Sequence, residues 1–333
     1  MTVTLVELCA GTASLSLWAL GRVVPLTGYM GSKRRWAGLL TEALGADDPD
    51  RVVLVDGGPW GDVWTVLQRR ELRQAVAEVL LDLDAVVVAK GTPAAWQKCL
   101  EPPSFDPVRR VAYFLWLQAR SAGTIPVWWS GTRWESPTGA RTEAAHARGN
   151  GTSLEHREKG RASRHEGPPY EAGGFERRRE EGSRKAGGTN QRRDTRGGAA
   201  APKGYGSRGI QRPWTIAQRI LALDLLPWDL VEVVHGDVRK VRPIPGARVY
   251  FDPPYLGCPR YAMTLPRVDV LSVARRWSDA GCRVLVSESE PLPLDGWTMR
   301  RLPGKRREWV TASWPVVIEE QLELELGGVG CGT

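Results

Sequence analysis

From Gly131 to Arg212 the chain holds 16 glycines, yet only Leu154 and Ile210 represent Val, Ile, Leu and Met. A stretch that poor in apolar side chains cannot bury enough surface to offset the entropy of ordering it. Its middle, 142–201, is expected to be disordered or to order only on a partner. Any core must therefore be built by the two flanks, and the flanks must meet. With 42% hydrophobic residues in a chain of 333, they have ample material for one large domain. The expected organisation is one folded domain from residues 1–127 and 213–333, interrupted by an inserted segment at 128–212.

The same segment carries the charge. It has 18 Lys/Arg against 10 Asp/Glu, the whole of the formal excess of +8, so the flanks are balanced. Basic character concentrated in one segment suits a polyanionic partner. Its middle interleaves acid with base, as in Glu176-Arg177-Arg178-Arg179-Glu180-Glu181, which also suits a plain solvated linker.

The flanks alternate strand and helix patterns. Thr2 to Val6 alternates and runs into Glu7-Leu8-Cys9-Ala10-Gly11-Thr12-Ala13-Ser14, a small-residue turn followed by a helix through Leu15, Leu17, Trp18 and Leu20. Arg51–Asp56 reads as a second strand. A helix with Leu72, Val76, Val79 and Leu80 on one face follows, and Asp84–Ala89 reads as either its end or a strand. Val111–Arg120 and Pro213–Leu225 read as helices. Further strands are expected at Val231–Val234, Arg248–Phe251, Arg283–Val286 and Trp309–Ala312. Such alternation predicts an α/β layered domain with a largely parallel sheet.

Residues 1–7 lack the basic and apolar regions of a signal peptide, and no run of about 18 apolar residues exists to span a membrane. The five cysteines are scattered, with neither a CxxC pair nor metal-ligand spacing. They suit buried thiols of a reducing compartment. A soluble cytoplasmic protein with no bound metal is the expectation.

The most informative motif is Arg248–Tyr255, an apolar strand that runs straight into Asp252-Pro253-Pro254-Tyr255. Two prolines in succession end sheet pairing and hold a rigid extended loop. At the carboxyl end of a parallel strand such a loop borders the ligand crevice of an open α/β sheet. It offers a carboxylate, a backbone carbonyl and an aromatic face. An aromatic amine needs that set to become a nucleophile. Acceptors on its two N–H bonds, Asp252 and the Pro253 carbonyl, free the lone pair, and fixed acceptors stabilise the positive charge that develops. Tyr255 would stack on a base flipped from a duplex. A bland reading, a strand exit with a capping Asp, competes at this point.

The sequence resembles the amino-DNA methyltransferases, specifically the DNA-adenine (N6) methylase family that uses Asp-Pro-Pro-Tyr. The resemblance covers about 5–127 and 213–313, in pieces. It implies a Rossmann-like, S-adenosylmethionine-dependent methyltransferase fold and methyl transfer to the N6 amino group of adenine in double-stranded DNA. Catalysis would rest on Asp252, Pro253, Pro254 and Tyr255. The turn of Glu7, Cys9, Ala10, Gly11 and Thr12 looks like the family's cofactor loop, where small residues let the backbone approach a ligand. Asp56 stands where the family places an acid for the ribose hydroxyls, Asp237 where a carboxylate meets the cofactor's adenine, and Phe251, just before the catalytic loop, counts among the implied cofactor-binding residues. Tyr29, Gly31 and Lys33 resemble an element that lines the cofactor pocket, although here it follows the small-residue turn instead of preceding it. His235 reads as structural, and no nucleotide-hydrolysing phosphate loop is present.

The family's target-recognition region occupies the interval of the basic insertion, with the aromatic group Trp128, Trp129 and Trp134 at its entry expected to stack on unpaired or flipped bases. Lys203, Arg208 and Arg212, within Lys203–Trp214, are candidates for DNA contact. So are Lys305 and Arg306, in an element resembling a family hairpin. Ser287-Glu288-Ser289 resembles a strand-end motif beside the target base. The resemblance implies a cytoplasmic, nucleoid-associated enzyme and a restriction endonuclease counterpart. The same amine chemistry suits N4 of cytosine, and a DNA-binding relative without cofactor binding is the alternative outside enzymes.

Overall fold

The computed structural model describes residues 2–27, 32–100, 106–120, 127–129, 134–135, 212–255, 265–303 and 308–318. The chain divides into a compact unit of Met1–Glu143 with Gly209–Thr333 and a second of Ala144–Arg208, and every described residue belongs to the first. The expected unstructured stretch, 142–201, lies outside the described residues.

In chain order the elements are β1 (Thr4–Leu8), α1 (Ser14–Gly21), α2 (Ala37–Leu44), β2 (Arg51–Asp56), α3 (Pro59–Leu67), α4 (Arg70–Lys90), α5 (Thr92–Leu100) and α6 (Pro107–Arg120). A two-residue hairpin, β3 (Trp128–Trp129) with β4 (Trp134–Glu135), follows. Then come α7 (Pro213–Ala222), β5 (Val231–His235), β6 (Arg248–Phe251), α8 (Arg267–Asp279), β7 (Arg283–Glu288), β8 (Thr298–Arg301) and β9 (Trp309–Ala312).

Seven strands form one sheet in the order β5-β2-β1-β6-β7-β9-β8. Pairing is parallel from β5 through β7, whereas β9 runs antiparallel to both β7 and β8. With the hairpin set aside, the parallel strands stand in the sequential order third, second, first, fourth, fifth, the order of a doubly wound sheet. The order reverses at β1, which pairs with β2 on one side and β6 on the other. The α/β, largely parallel architecture expected from the strand pattern is present and is compatible with a Rossmann-like fold.

Side-chain alternation sorts the strands between two cores. Leu5, Val52, Leu54, Tyr250 and Leu285 face the layer that holds α1 to α7. Val6, Leu8, Val53, Val55, Val249, Phe251, Val284 and Val286 face the other way, against Val270, Val273, Ala274 and Trp277 of α8. The period of two then sends Glu7, Asp252 and Ser287 toward the first layer, since each lies two residues beyond one of its members.

Several local expectations are sharpened. The strand expected to finish at Val6 continues through Glu7 and Leu8, whose backbone pairs with both neighbours. Asp84–Ala89 is the end of α4 and not a strand, because the helix runs unbroken to Lys90. The helix expected to reach Leu225 gives way at Leu223 to a 3-10 turn. Among the described residues no helix is long and apolar enough to cross a membrane.

Candidate functional site

In an open α/β sheet the crevice for ligands lies beyond the carboxyl ends of the strands, where the strand order reverses. Here that place is the gap between β1 and β6. Leu8 and Phe251 are register partners, and the Asp252 N–H donates to the Leu8 carbonyl at 3.1 Å. The small-residue turn and the Asp-Pro-Pro-Tyr loop therefore leave the sheet side by side.

The turn is strained. Cys9, Gly11 and Ala13 all have positive φ, at 56°, 50° and 49°. Glycine adopts that conformation without penalty, but Cys9 and Ala13 do not, and such outliers persist only where surrounding structure enforces them. The enforcement is visible. The Ala10 N–H donates to the Val55 carbonyl at 2.9 Å, and the Gly11 N–H donates to Asp56 Oδ2 at 2.9 Å. Trp64 Nε1–H reaches the Gly11 carbonyl at 2.8 Å. Thr12, Ser14 and Ser32 join in a ring of hydroxyls at 2.9 to 3.1 Å. Tyr29 and Gly31 lie outside the described residues, but Ser32 and Lys33 bring the end of their element against the turn.

Asp56 is a backbone organiser. Besides Gly11 it accepts the Gly58 N–H on Oδ1 at 2.7 Å, closing the loop into α3. Burial pushes its carboxyl above the ordinary range, against the pull of these amides. Gly61 is obligatory beside it, since a Cβ there would stand 2.4 Å from both the Asp56 carbonyl oxygen and a His235 ring carbon. Asp237, after β5, accepts the Arg239 backbone N–H and its guanidinium at 2.7 to 2.9 Å, which holds its carboxyl below the usual value. Arg239 also reaches Asp269. The Cys9 thiol is pushed well up by burial and then by the charges of Asp56, Asp252 and Asp237. Carboxylates from the ends of three strands thus act on one turn.

Glu7 turns toward α1. Its Oε2 accepts the Ser16 N–H at 3.0 Å and the Ser16 hydroxyl at 2.6 Å. Burial pushes its carboxyl up to about 7, with Ser16 opposing and Asp252 adding to the rise. The side chain anchors the helix after the turn. Phe251 is likewise interior, wholly buried on the α8 side of the sheet.

The densest polar cluster surrounds Asp252. Lys33, only 2% exposed, donates to Asp252 Oδ1 at 2.7 Å and Oδ2 at 3.0 Å. Its ammonium is 3.3 Å from Glu308 Oε1 and 4.9 Å from the centre of the Tyr255 ring. The Ser287 hydroxyl donates to Asp252 Oδ1 at 2.8 Å. With its proton used there, Ser287 accepts from Tyr250, whose hydroxyl lies at 2.8 Å, so the relay runs Tyr250 to Ser287 to Asp252. The Tyr255 hydroxyl donates to Glu308. Burial first, then the Lys33 charge against it, leaves the Glu308 carboxyl above its ordinary range. Positive charge among these carboxylates comes from Lys33. Pro253 is buried and Pro254 half-buried beside them.

Other expected residues separate from this crevice. Trp134 is buried and donates its indole N–H to the Cys99 carbonyl at 2.9 Å, so it packs in the core and offers no face to a base. Arg212 pairs with Asp84, whose carboxylate also accepts the Trp214 N–H, and it thereby fastens the start of α7 to α4. Trp128 and Trp129 form β3. Lys203, Arg208, Lys305 and Arg306 lie outside the described residues. His235 Nδ1 lies 3.5 Å from Asp62 Oδ1. Glu308 and Tyr250 were not foreseen. Glu308 is one acid in the charged run before β9, and Tyr250 looks like any strand aromatic. The chain matches no protein-family model and no curated protein.

Proposed function

We propose that this crevice binds S-adenosylmethionine and transfers its methyl group to the N6 amino group of an adenine flipped out of DNA. The observation that carries the reading is Asp252-Pro253-Pro254-Tyr255 at the reversal point of the sheet, directly beside a strained small-residue turn. When bound, the cofactor supplies a sulfonium-activated methyl group.

The chain's residues fit such a group. Gly11 and its neighbours keep side chains out of the turn, so backbone can approach a ligand. Asp56 accepts the N–H groups of Gly11 and Gly58, with that of Gly61 also drawn to it, and an ionised carboxylate has about four acceptor sites, so capacity remains for a ribose hydroxyl. Asp237 stands at the next strand end as a candidate for the adenine amino group. In the acceptor half, Asp252 and the Pro253 carbonyl would take the two N–H bonds of the target amine, freeing its lone pair. Tyr255 would stack on the base. As the N–C bond forms and the S–C bond breaks, the nitrogen becomes cationic, and preorganised acceptors stabilise that charge without reorganising. Its extra proton then leaves toward the Asp252 carboxylate, which is 21% exposed. Affinity for DNA would come from the basic insertion and fall steeply with salt.

The test is incubation of the protein with labelled cofactor and unmethylated DNA, followed by identification of the modified nucleoside. N6-methyladenine is the expected product. N4-methylcytosine would keep the chemistry and change the acceptor. Absence of both product and cofactor binding at millimolar ligand would remove the enzyme reading in favour of a DNA-binding protein.

A further inference from the structure

The amine acceptor of the proposed reaction is already engaged. Both oxygens of Asp252 accept from Lys33, and Oδ1 accepts from Ser287 as well. An incoming amino group must therefore share Asp252 with a buried ammonium or displace it. A buried cation cannot be left without a counter-charge, because removing one partner of such a pair leaves an uncompensated ion. Glu308 is the second carboxylate within reach, at 3.3 Å from the same Nζ.

We infer that Glu308 is a positioning residue, the alternative counter-ion onto which Lys33 shifts so that Asp252 can accept the target amine. The inference rests on the methyltransferase reading above. Three features of the cluster support it. Glu308 needs no large movement of Lys33 to take the charge. It sits just before β9, where Trp309 pairs with Glu288 at the end of β7, so a strand backbone fixes it on the crevice side. It also accepts the Tyr255 hydroxyl, and Lys33 lies over the Tyr255 ring. One carboxylate thus sets both the ring that would stack on the base and the cation that would leave the acceptor. Ser287, held by Tyr250, keeps Asp252 in place during the exchange.

The consequence is a suppressor relationship. In Glu308→Gln the pull of Lys33 on Asp252 is no longer shared with Glu308, and turnover should drop at least tenfold with cofactor affinity changed less than about threefold. Adding Lys33→Met to that variant removes the trapped cation and should recover several-fold of the lost rate. A merely structural Glu308 predicts the reverse, with the double variant worse than either single one. Glu308→Asp, which keeps the charge, should retain more activity than Glu308→Gln.

A second measurement needs no activity. Urea unfolding of the wild type, Lys33→Met, Glu308→Gln and the double variant forms a thermodynamic cycle. Glu308→Gln should destabilise clearly less in the Lys33→Met background. Additive losses would overturn the shared ammonium, and a Glu308→Gln variant as fast as wild type would overturn the positioning role. Coupling in this cycle together with a wild type that transfers no methyl group would overturn the transferase reading and the catalytic use of Glu308. The shared ammonium itself would stand.

Discussion

The two ends of the carboxylate arc are built in different ways. At the outer end, after β2 and β5, Asp56 and Asp237 each bind a backbone N–H two residues further on, Gly58 and Arg239. A short peptide segment encodes those contacts, although Asp56 also accepts the Gly11 N–H from 45 positions away. At the inner end, beside the β1–β6 gap, Asp252 is held by Lys33 and Ser287, and Glu308 by Lys33 and Tyr255, partners from remote parts of the chain. Lys33 and Asp252 are 219 positions apart. The outer acids draw part of their shape from their own turns, whereas the inner acids have it only when the sheet is complete. Substitutions at the inner end should therefore disturb more groups than those at Asp237.

The largest effect is expected at Asp252. Asp252→Asn should lower methyl transfer by about a thousandfold, comparable with loss of a preorganised electrostatic partner, with cofactor affinity within a few-fold. A folded variant that keeps substantial activity would break the proposed role of the loop.

Next comes Glu7, whose folded carboxyl titrates near 7 and not near its ordinary 4.5. A raised carboxyl favours the protonated native state. Its contribution is therefore complete below about pH 4.5 and lost as pH rises through about 7. By linkage, stability should fall on the order of 3 kcal/mol across that window relative to Glu7→Gln, which stays neutral. Parallel pH–stability curves for the two proteins would contradict a buried, reluctant Glu7.

Gly61→Ala tests the packing within the outer end. The added Cβ meets a backbone oxygen and the His235 ring at 2.4 Å. Overpacking of this kind costs about 1–3 kcal/mol, and the shift should weaken cofactor binding through Asp56 more than it slows turnover. Calorimetric titration and initial rates would separate the two. The smallest effect belongs to Arg239→Ala, whose guanidinium is at the surface with Asp237 and Asp269. Exposed pairs of this sort contribute little, and the unfolding midpoint should match the wild type within error. A large loss would show that Asp237 needs its partner to hold the outer turn.

The same contrast explains what was legible in the sequence. Short, near-continuous apolar runs marked β2, β6 and β7, because a parallel strand covered on both faces has no polar side, and apolar repeats marked β1, β5 and β9. Asp-Pro-Pro-Tyr, Asp56 and Asp237 stood out because each completes a local strand-to-loop exit. β8, with exposed Arg300 and Arg301, has no apolar repeat to betray it. Glu308 and Tyr250 matter only through Lys33, Tyr255 and Ser287, and no spacing along the chain records such neighbours. Arg212 stood in a basic run that suggested DNA, and its pairing with Asp84 in α4, 128 positions away, is another contact that spacing along the chain does not record.

The reversal of strand order at β1 also has a cost during synthesis. β1 is the middle one of the five parallel strands, yet of its two neighbours only β2 is made soon after it. Its other edge waits for Arg248–Phe251. At about 5–20 residues per second that interval is roughly 10–40 s, during which an apolar strand has an open edge able to pair with other chains. The glycine-rich, charged segment emerges inside this window. A ribosome-bound chain would then carry its own solubilising tract at the stage when that strand is most exposed.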